Sequence, residues 1–153
     1  MLDEGLFEQV GEVVRGSAPR DLGELRLMVR RTGVKAWFGD AAPQREHYEA
    51  QVIAADIAVQ AREHAVEIGF HAEHPKAADN DAALGRLTAA EARWRPALGE
   101  DATAGPFIGP AAWRRVSELW LDPELSDRDL AFEIGVRLVD YMAALEPFRR
   151  SPA

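Results

Sequence analysis

The chain has 153 residues, of which 47% are hydrophobic and 29% are charged, as in ordinary globular proteins rather than disordered or fibrous ones. Its 18 basic and 26 acidic residues give a net charge of −8. Because this charge repels phosphate backbones and anionic lipids, we expect no nucleic-acid partner and no membrane partner. The absence of cysteine excludes disulfides, thiolate metal sites and thiol nucleophiles.

Length and termini predict one soluble domain. A chain of this size buries about 70% of the surface of its unfolded form, so we expect residues 1–153 to form a single domain. The start, residues 1–4, is acidic and lacks the positive, then apolar, pattern of a signal peptide. No stretch approaches 18 apolar residues, and we therefore expect a cytoplasmic protein.

The first forty residues predict a helix followed by a β-hairpin. Leu2, Leu6 and Val10 recur at helical spacing, and Gly16 is a suitable helix stop. In residues 22–40, apolar and polar side chains alternate on either side of Thr32 and Gly33, the pattern of a hairpin with a glycine turn.

Residues 43–65 fit two structures. Tyr48, Ala50 and Val52 alternate with polar residues, which is typical of a strand, but the stretch also carries a helical apolar stripe. Glycine, proline and asparagine are absent from residues 44–68, and alanine is abundant, so helix propensity favours a helix by a small margin.

Residues 66–73 form the clearest strand in the sequence. Val66, Ile68 and Phe70 share one face with Ala72, and polar side chains lie on the other. After Pro75 the pattern predicts helices throughout. One runs from residue 80 or 81 towards Trp94 with a restart after Gly85; the next begins at Pro110 and buries Val116, Leu119 and Trp120; the last runs from residues 126–129 to Pro147.

The predicted fold is therefore α+β. An N-terminal helix precedes a small, mainly antiparallel sheet, formed by the 22–40 hairpin and the 66–73 strand. The helical C-terminal half is expected to pack on one face of this sheet.

All four histidines lie between positions 47 and 74, among several glutamates. The 66–73 strand places Glu67, His71 and Glu73 on one face, and His47 and Glu49 join them if residues 46–54 are a neighbouring strand. Such nitrogen and carboxylate ligands suit a divalent metal. We therefore name His47, His71 and Glu73 as candidate metal ligands, and Glu49, His71 and Glu73 as candidate catalytic groups of a metal-dependent hydrolase. The plainer interpretation is that this face is the solvated side of the sheet.

Two tryptophan–arginine pairs and one loop are candidate binding elements. Trp94 with Arg95, and Trp113 with Arg114, could bind an anion or a flat ring, although tryptophans more often anchor a core. The Gly- and Pro-rich loop that carries Phe107 and Ile108 could cover a pocket or contact a partner, or insert both side chains into the core.

Phosphate-binding glycine loops and nucleophile elbows are absent from the sequence. The leading hypothesis is a non-catalytic binding or protein-interaction module, a possible homodimer, whose ligand is a protein or a small molecule and which needs no cofactor. The alternative is the small metal-dependent hydrolase, with a divalent metal as its cofactor.

Overall fold

A computed structural model describes residues 5–40, 42, 44–107 and 109–150. These residues form four helices and six strands. In chain order they are α1 (Leu6–Ser17), a 3₁₀ turn (Arg20–Leu22), β1 (Leu25–Arg30), β2 (Gly33–Phe38), β3 (Glu46–Ala54), β4 (His64–Ala72), α2 (Ala77–Ala89), α3 (Glu91–Leu98), β5 (Thr103–Pro106), β6 (Arg114–Leu121) and α4 (Leu130–Arg149).

The strands form one sheet in the order β1-β2-β3-β4-β6-β5, and every neighbouring pair is antiparallel. The pair β3–β4 lies at the centre and is in register over all nine residues of each strand, from Glu46 opposite Ala72 to Ala54 opposite His64. The short β5 and the first hairpin strand, β1, form the two edges.

The helices supply the apolar layer that covers one face of the sheet. Val34, Tyr48 and Phe70 point from three strands into a core that also contains Val10 of α1 and Leu138 of α4. Because side chains alternate along a strand, the residues between them point to the opposite face, which we call the second face. An α+β architecture with helices on one face is thus confirmed.

Two buried polar networks fasten α4 to the sheet. The Tyr48 hydroxyl donates to Glu146 at 2.9 Å, and Arg149 binds the same carboxylate through two nitrogens at 2.7 and 2.8 Å. Glu118 of β6 accepts from the Tyr141 hydroxyl at 2.7 Å and pairs with Arg137. Each carboxylate buried here therefore has a cationic partner, as a buried charge requires.

An N-terminal helix and a hairpin are present as expected, although α1 continues past Gly16 to Ser17 and Leu2 lies outside the described residues. The preference for a helix in residues 43–65 is wrong. The hairpin pairs Arg30 with Gly33, and residues 46–54 form the long strand β3. The backbone of β3 pairs with β4 along one edge and with β2 along the other. These ladder contacts outweigh the helix propensity of its alanines, because propensity is a weak local preference.

The prediction of helices throughout the part after Pro75 is also wrong in one region. Residues 103–106 and 114–121 are strands β5 and β6, and the helix expected from Pro110 does not form. Val116, Leu119 and Trp120 fit a helical stripe, but Val116 and Trp120 also fit an alternating pattern. Within these eight residues the apolar positions fit both the 3.6-residue period of a helix and the two-residue period of a strand. Pairing with β4 selects the strand.

The remaining helix boundaries shift modestly. The first C-terminal helix, α2, starts at Ala77 and continues through Gly85, and Thr88 lies inside it rather than capping a new helix. Pro147 lies within the last turn of α4 and does not end it at that residue. Among the described residues no helix combines the length and apolar character needed to span a lipid bilayer.

Two helical glycines allow a matched test of how closely α1 and α4 pack. A Cβ on Gly135 of α4 would lie 2.6 Å from a methyl group of Val13 on α1, whereas a Cβ on Gly85 of α2 would meet nothing within 4 Å. We expect Gly135→Ala to lower the free energy of unfolding by about 1–3 kcal/mol through overpacking. Gly85→Ala should raise it by about 0.5–1 kcal/mol through helix propensity.

Urea unfolding of the two variants beside the parent protein measures both effects. Equal midpoints for the two variants would contradict the close approach of α1 and α4.

Candidate metal centre

The central strands bring two histidines and two glutamates together on the second face. His47 and Glu49 are alternate residues of β3, His71 is opposite His47 on β4, and Glu73 directly follows β4. The backbone N–H of Glu73 donates to the carbonyl of Arg45 at 2.8 Å, which continues the ladder by one residue and keeps Glu73 beside the others. We call His47, Glu49, His71 and Glu73 the His/Glu cluster.

One atom from each residue of the His/Glu cluster faces a common point. His47 Nε2 lies 3.1 Å from Glu49 Oε1 and 3.4 Å from Glu73 Oε2. His71 Nδ1 lies 3.2 Å from the same Glu49 oxygen and 3.1 Å from the same Glu73 oxygen. All four atoms lie within 4.8 Å of one another, so each nitrogen has both carboxylate oxygens as neighbours.

Further polar groups hold the outward atoms of the cluster. His47 Nδ1 lies 2.9 Å from the carbonyl oxygen of Gln44, and His71 Nε2 lies 2.8 Å from Glu67 Oε2. The second oxygen of Glu49 pairs with Arg30 at 2.6 Å, and the second oxygen of Glu73 is 3.9 Å from Lys35 Nζ. Each of the four residues therefore also has a polar contact outside the cluster.

The cluster is buried although it lies away from the helices. His71 is 0% exposed, His47 2% and Glu49 3%. The expectation that this face of the sheet is solvated is therefore wrong at its centre. At one end of the second face, Ala58 and Ala61 pack on Ile53 and Ala65.

At the other end of the second face, the loop between β5 and β6 covers His71. The ring of Phe107 meets the His71 ring edge to face, with centroids 4.6 Å apart, and Trp113 packs on Phe107 at 5.6 Å. The side chain of Asn80 donates to the carbonyl of Ala112 at 2.8 Å and so fastens this loop to α2. Phe107 thus covers the polar cluster instead of inserting between helices; Ile108 lies outside the described residues.

Contacts within the cluster shift the pKa values of its four residues. Burial alone would lower the pKa of His47 and His71, but the carboxylates around them outweigh burial, and both pKa values are raised, that of His71 strongly. Burial alone would raise the pKa of Glu73, yet hydrogen bonds from His47 and His71 bring it to about 2. The pKa of Glu49 is lowered still further by the same two rings.

The two tryptophan–arginine pairs do not form one site. Trp94 is buried in the helix-side core and donates to the Leu87 carbonyl, while Arg95 stacks on its ring and bonds to nearby carbonyls. Trp113 lies on the second face beside Phe107. Arg114 pairs with Asp81 at 2.8 Å. Their contacts are explained by packing and by local ion pairs.

The sequence-based site omitted several residues that complete the cluster. Arg30 and Lys35 come from the polar side of the hairpin, and the alternation that predicts the hairpin also places them on this face. Alternation places Glu67 on the correct face of β4 among the possible metal ligands, but its carboxylate faces His71 Nε2 rather than the four inward atoms. That Phe107 would lie on His71 had no signal in the sequence, because the loop carries no periodic pattern.

We expect the metal-free protein to be most stable between about pH 4.5 and 6.5. Raised histidine pKa values stabilise the folded state fully below the ordinary value of 6.5, and this stabilisation is lost as the pH rises through the folded-state values. Lowered glutamate pKa values stabilise it above 4.5, and that stabilisation is lost as the pH falls towards the folded-state values. Thermal unfolding of chelator-treated protein across about pH 2–9 measures both limbs.

His71→Gln should reduce the loss of stability at alkaline pH, because it removes the most strongly shifted histidine of the cluster. His64→Gln is the matched control, since the His64 ring contacts the Pro123 carbonyl outside the cluster. An alkaline decline that is the same in both variants and in the parent would contradict the raised histidine pKa values.

Comparison with known proteins found no family model, no curated protein and no solved structure that this chain matches.

Proposed function

We propose that this protein is a non-catalytic binding module whose ligand is a divalent transition-metal ion, with Zn²⁺ the best match. The observation that carries the proposal is the spacing of the four inward atoms of the His/Glu cluster, whose neighbouring contacts are 3.1–3.4 Å. Four ligands about 2.0–2.1 Å from a tetrahedral ion lie about 3.3–3.4 Å from one another. Four of the six distances among the inward atoms are close to this value, and all six are within 4.8 Å.

The ligand types favour the same class of ion. Two imidazole nitrogens and two carboxylate oxygens suit Zn²⁺ and neighbouring first-row ions. Calcium requires about six to eight oxygen ligands at 2.3–2.6 Å, and magnesium a near-octahedral oxygen shell. A buried set of two nitrogens and two oxygens provides neither.

The charge of the site supports a doubly charged ligand. Glu49, Glu67 and Glu73 bring −3, and Arg30 and Lys35 bring +2, so the site has a net charge of −1 when both histidines are neutral. A divalent ion changes this to +1, and so do two protons on the imidazoles. An ion therefore replaces two protons at no change in net charge, and its binding should release protons.

Four protein ligands support binding rather than catalysis. A catalytic zinc site keeps one position open for water or substrate, whereas structural sites are closed by four protein ligands. Here the four inward atoms would supply four protein ligands, and Phe107 covers His71. The hydrolase alternative requires Glu49 or Glu73 to leave the ion and act as a base, and nothing in the described residues favours that arrangement.

A protein partner or a second copy of the chain has less support as the ligand of this binding module. Ile57, Val59 and Phe132 are exposed by 52%, 78% and 62%. Scattered exposed apolar residues are normal on monomeric proteins and identify no partner. The metal ion is therefore the ligand that the geometry supports.

We expect Zn²⁺ to stabilise chelator-treated protein against heat. At about 100 times its dissociation constant an ion adds about 2.7 kcal/mol. That free energy corresponds to a rise of roughly 5–10 °C in Tm for a chain of this size. Co²⁺ should act similarly, and Ca²⁺ and Mg²⁺ at the same concentration should have little effect. The rise should increase between pH 6 and 8, because protons compete for the imidazoles.

His71→Ala and Glu73→Gln should abolish the rise, because each removes one of the four ligands. His64→Ala and Glu63→Gln make the same chemical changes outside the cluster and should preserve it. The proposal fails if no transition-metal ion raises Tm, or if all four variants respond alike.

A further inference from the structure

Glu67 and His71 form a contact that the geometry of a strand does not ordinarily allow. Residues four apart on one strand have Cα atoms about 13 Å from each other. Their side chains nevertheless meet, with His71 Nε2 at 3.0 and 2.8 Å from the two oxygens of Glu67. Gly69 lies between them and carries no side chain; a Cβ there would clash with the Val116 carbonyl oxygen and lie 2.6 Å from Ser117, so glycine allows β6 to pack closely beside this contact.

Glu67 also interacts with two further side chains. Gln51 of β3 donates its side-chain N–H to Glu67 Oε1 at 2.8 Å, and Ser117 of β6 contributes to lowering the pKa of Glu67. Glu67, His71 and Ser117 are all fully buried. A buried carboxylate that Gln51 also holds has little freedom to follow the ring, so the ring must adapt to the carboxylate.

We infer, resting on the proposed metal site, that Glu67 is a positioning residue that keeps the proton of neutral His71 on Nε2 and so leaves the lone pair of Nδ1 for the ion. In His47 the proton is held on the other ring nitrogen, Nδ1, because the group that this nitrogen faces can only accept a hydrogen bond. Its Nδ1 faces the Gln44 carbonyl, which leaves Nε2 as the ligand atom. Both rings are thus preset, one by a main-chain oxygen and one by Glu67.

The inference depends on a competition at His71. Its Nδ1 also faces carboxylates, with Glu49 at 3.2 Å and Glu73 at 3.1 Å, so those groups could hold a proton on Nδ1 instead. A proton there would occupy the position of the ion. Glu67 opposes this arrangement because both of its oxygens face Nε2. Outer groups of this kind typically change metal affinity by about 10–100-fold when removed.

The first experiment reads the tautomer of His71 in metal-free protein by ¹⁵N NMR, at a pH where the ring is neutral. We expect the proton on Nε2 in the parent. In Glu67→Leu it should move to Nδ1, and in Glu67→Gln, which keeps the size and one acceptor oxygen, the Nε2 form should remain in the majority. An unchanged tautomer in Glu67→Leu overturns the inference whether or not any metal binds.

The second experiment measures Zn²⁺ affinity and the absorption spectrum of the Co²⁺-loaded protein. We expect affinity to fall about 10–100-fold in Glu67→Leu, with a smaller loss in Glu67→Gln and a shifted Co²⁺ spectrum. Glu133→Gln, an exposed position on α4, is the control and should match the parent. If Glu67→Leu does not fold, Glu67→Gln alone decides through its affinity and spectrum.

The two experiments separate the inference from the proposal on which it rests. Tight Zn²⁺ binding by the parent, with unchanged affinity and spectrum in both Glu67 variants, overturns the positioning role and leaves the metal site standing. Failure of the parent to bind Zn²⁺ or Co²⁺ overturns the metal site itself, and with it the role assigned to Glu67.

Discussion

The register between β3 and β4 is the constraint on which the rest of the structure depends. In that pairing Tyr48 is opposite Phe70 on the helix side, and His47 is opposite His71 on the second face. A shift of one residue would move every side chain of a strand to the other face. The same nine-residue ladder therefore sets the apolar core and the His/Glu cluster together, and neither can change its partners without the other.

Burying so many ionisable groups is costly unless they are closely paired. The protein meets this requirement three times with separate networks, around Glu146, around Glu118 and around the His/Glu cluster. No buried side-chain nitrogen or oxygen among the described residues lacks a hydrogen-bond partner. The first two networks join cations to anions directly. The third joins carboxylates through imidazoles, the groups that can exchange a proton for a metal ion near neutral pH.

Much of the fold follows from the sequence, and the errors have common physical causes. The hairpin and β4 are predicted correctly because their alternation is uninterrupted and their turns carry glycine or proline. For β3 and β6 the local pattern fits both periods, and the choice depends on strands that are distant in the sequence. Alternation along β4 fixes the face of His71 and Glu73, whereas His47 and Glu49 join them only under the strand alternative for residues 46–54. Their burial could not be predicted, because it depends on a loop, containing Phe107, whose position no pattern encodes.

The two edges of the sheet bear on how the protein avoids self-association. An edge strand offers unpaired backbone groups to any other strand, which makes it a site for aggregation. The edge strand β5 has four residues and ends at Pro106, which lacks an N–H to donate. The other edge, β1, carries Arg26 and Arg30 and is followed by Arg31. A second copy joining along β1 would bring arginines of both copies close together. Both edges of the sheet therefore disfavour the addition of a strand from another copy.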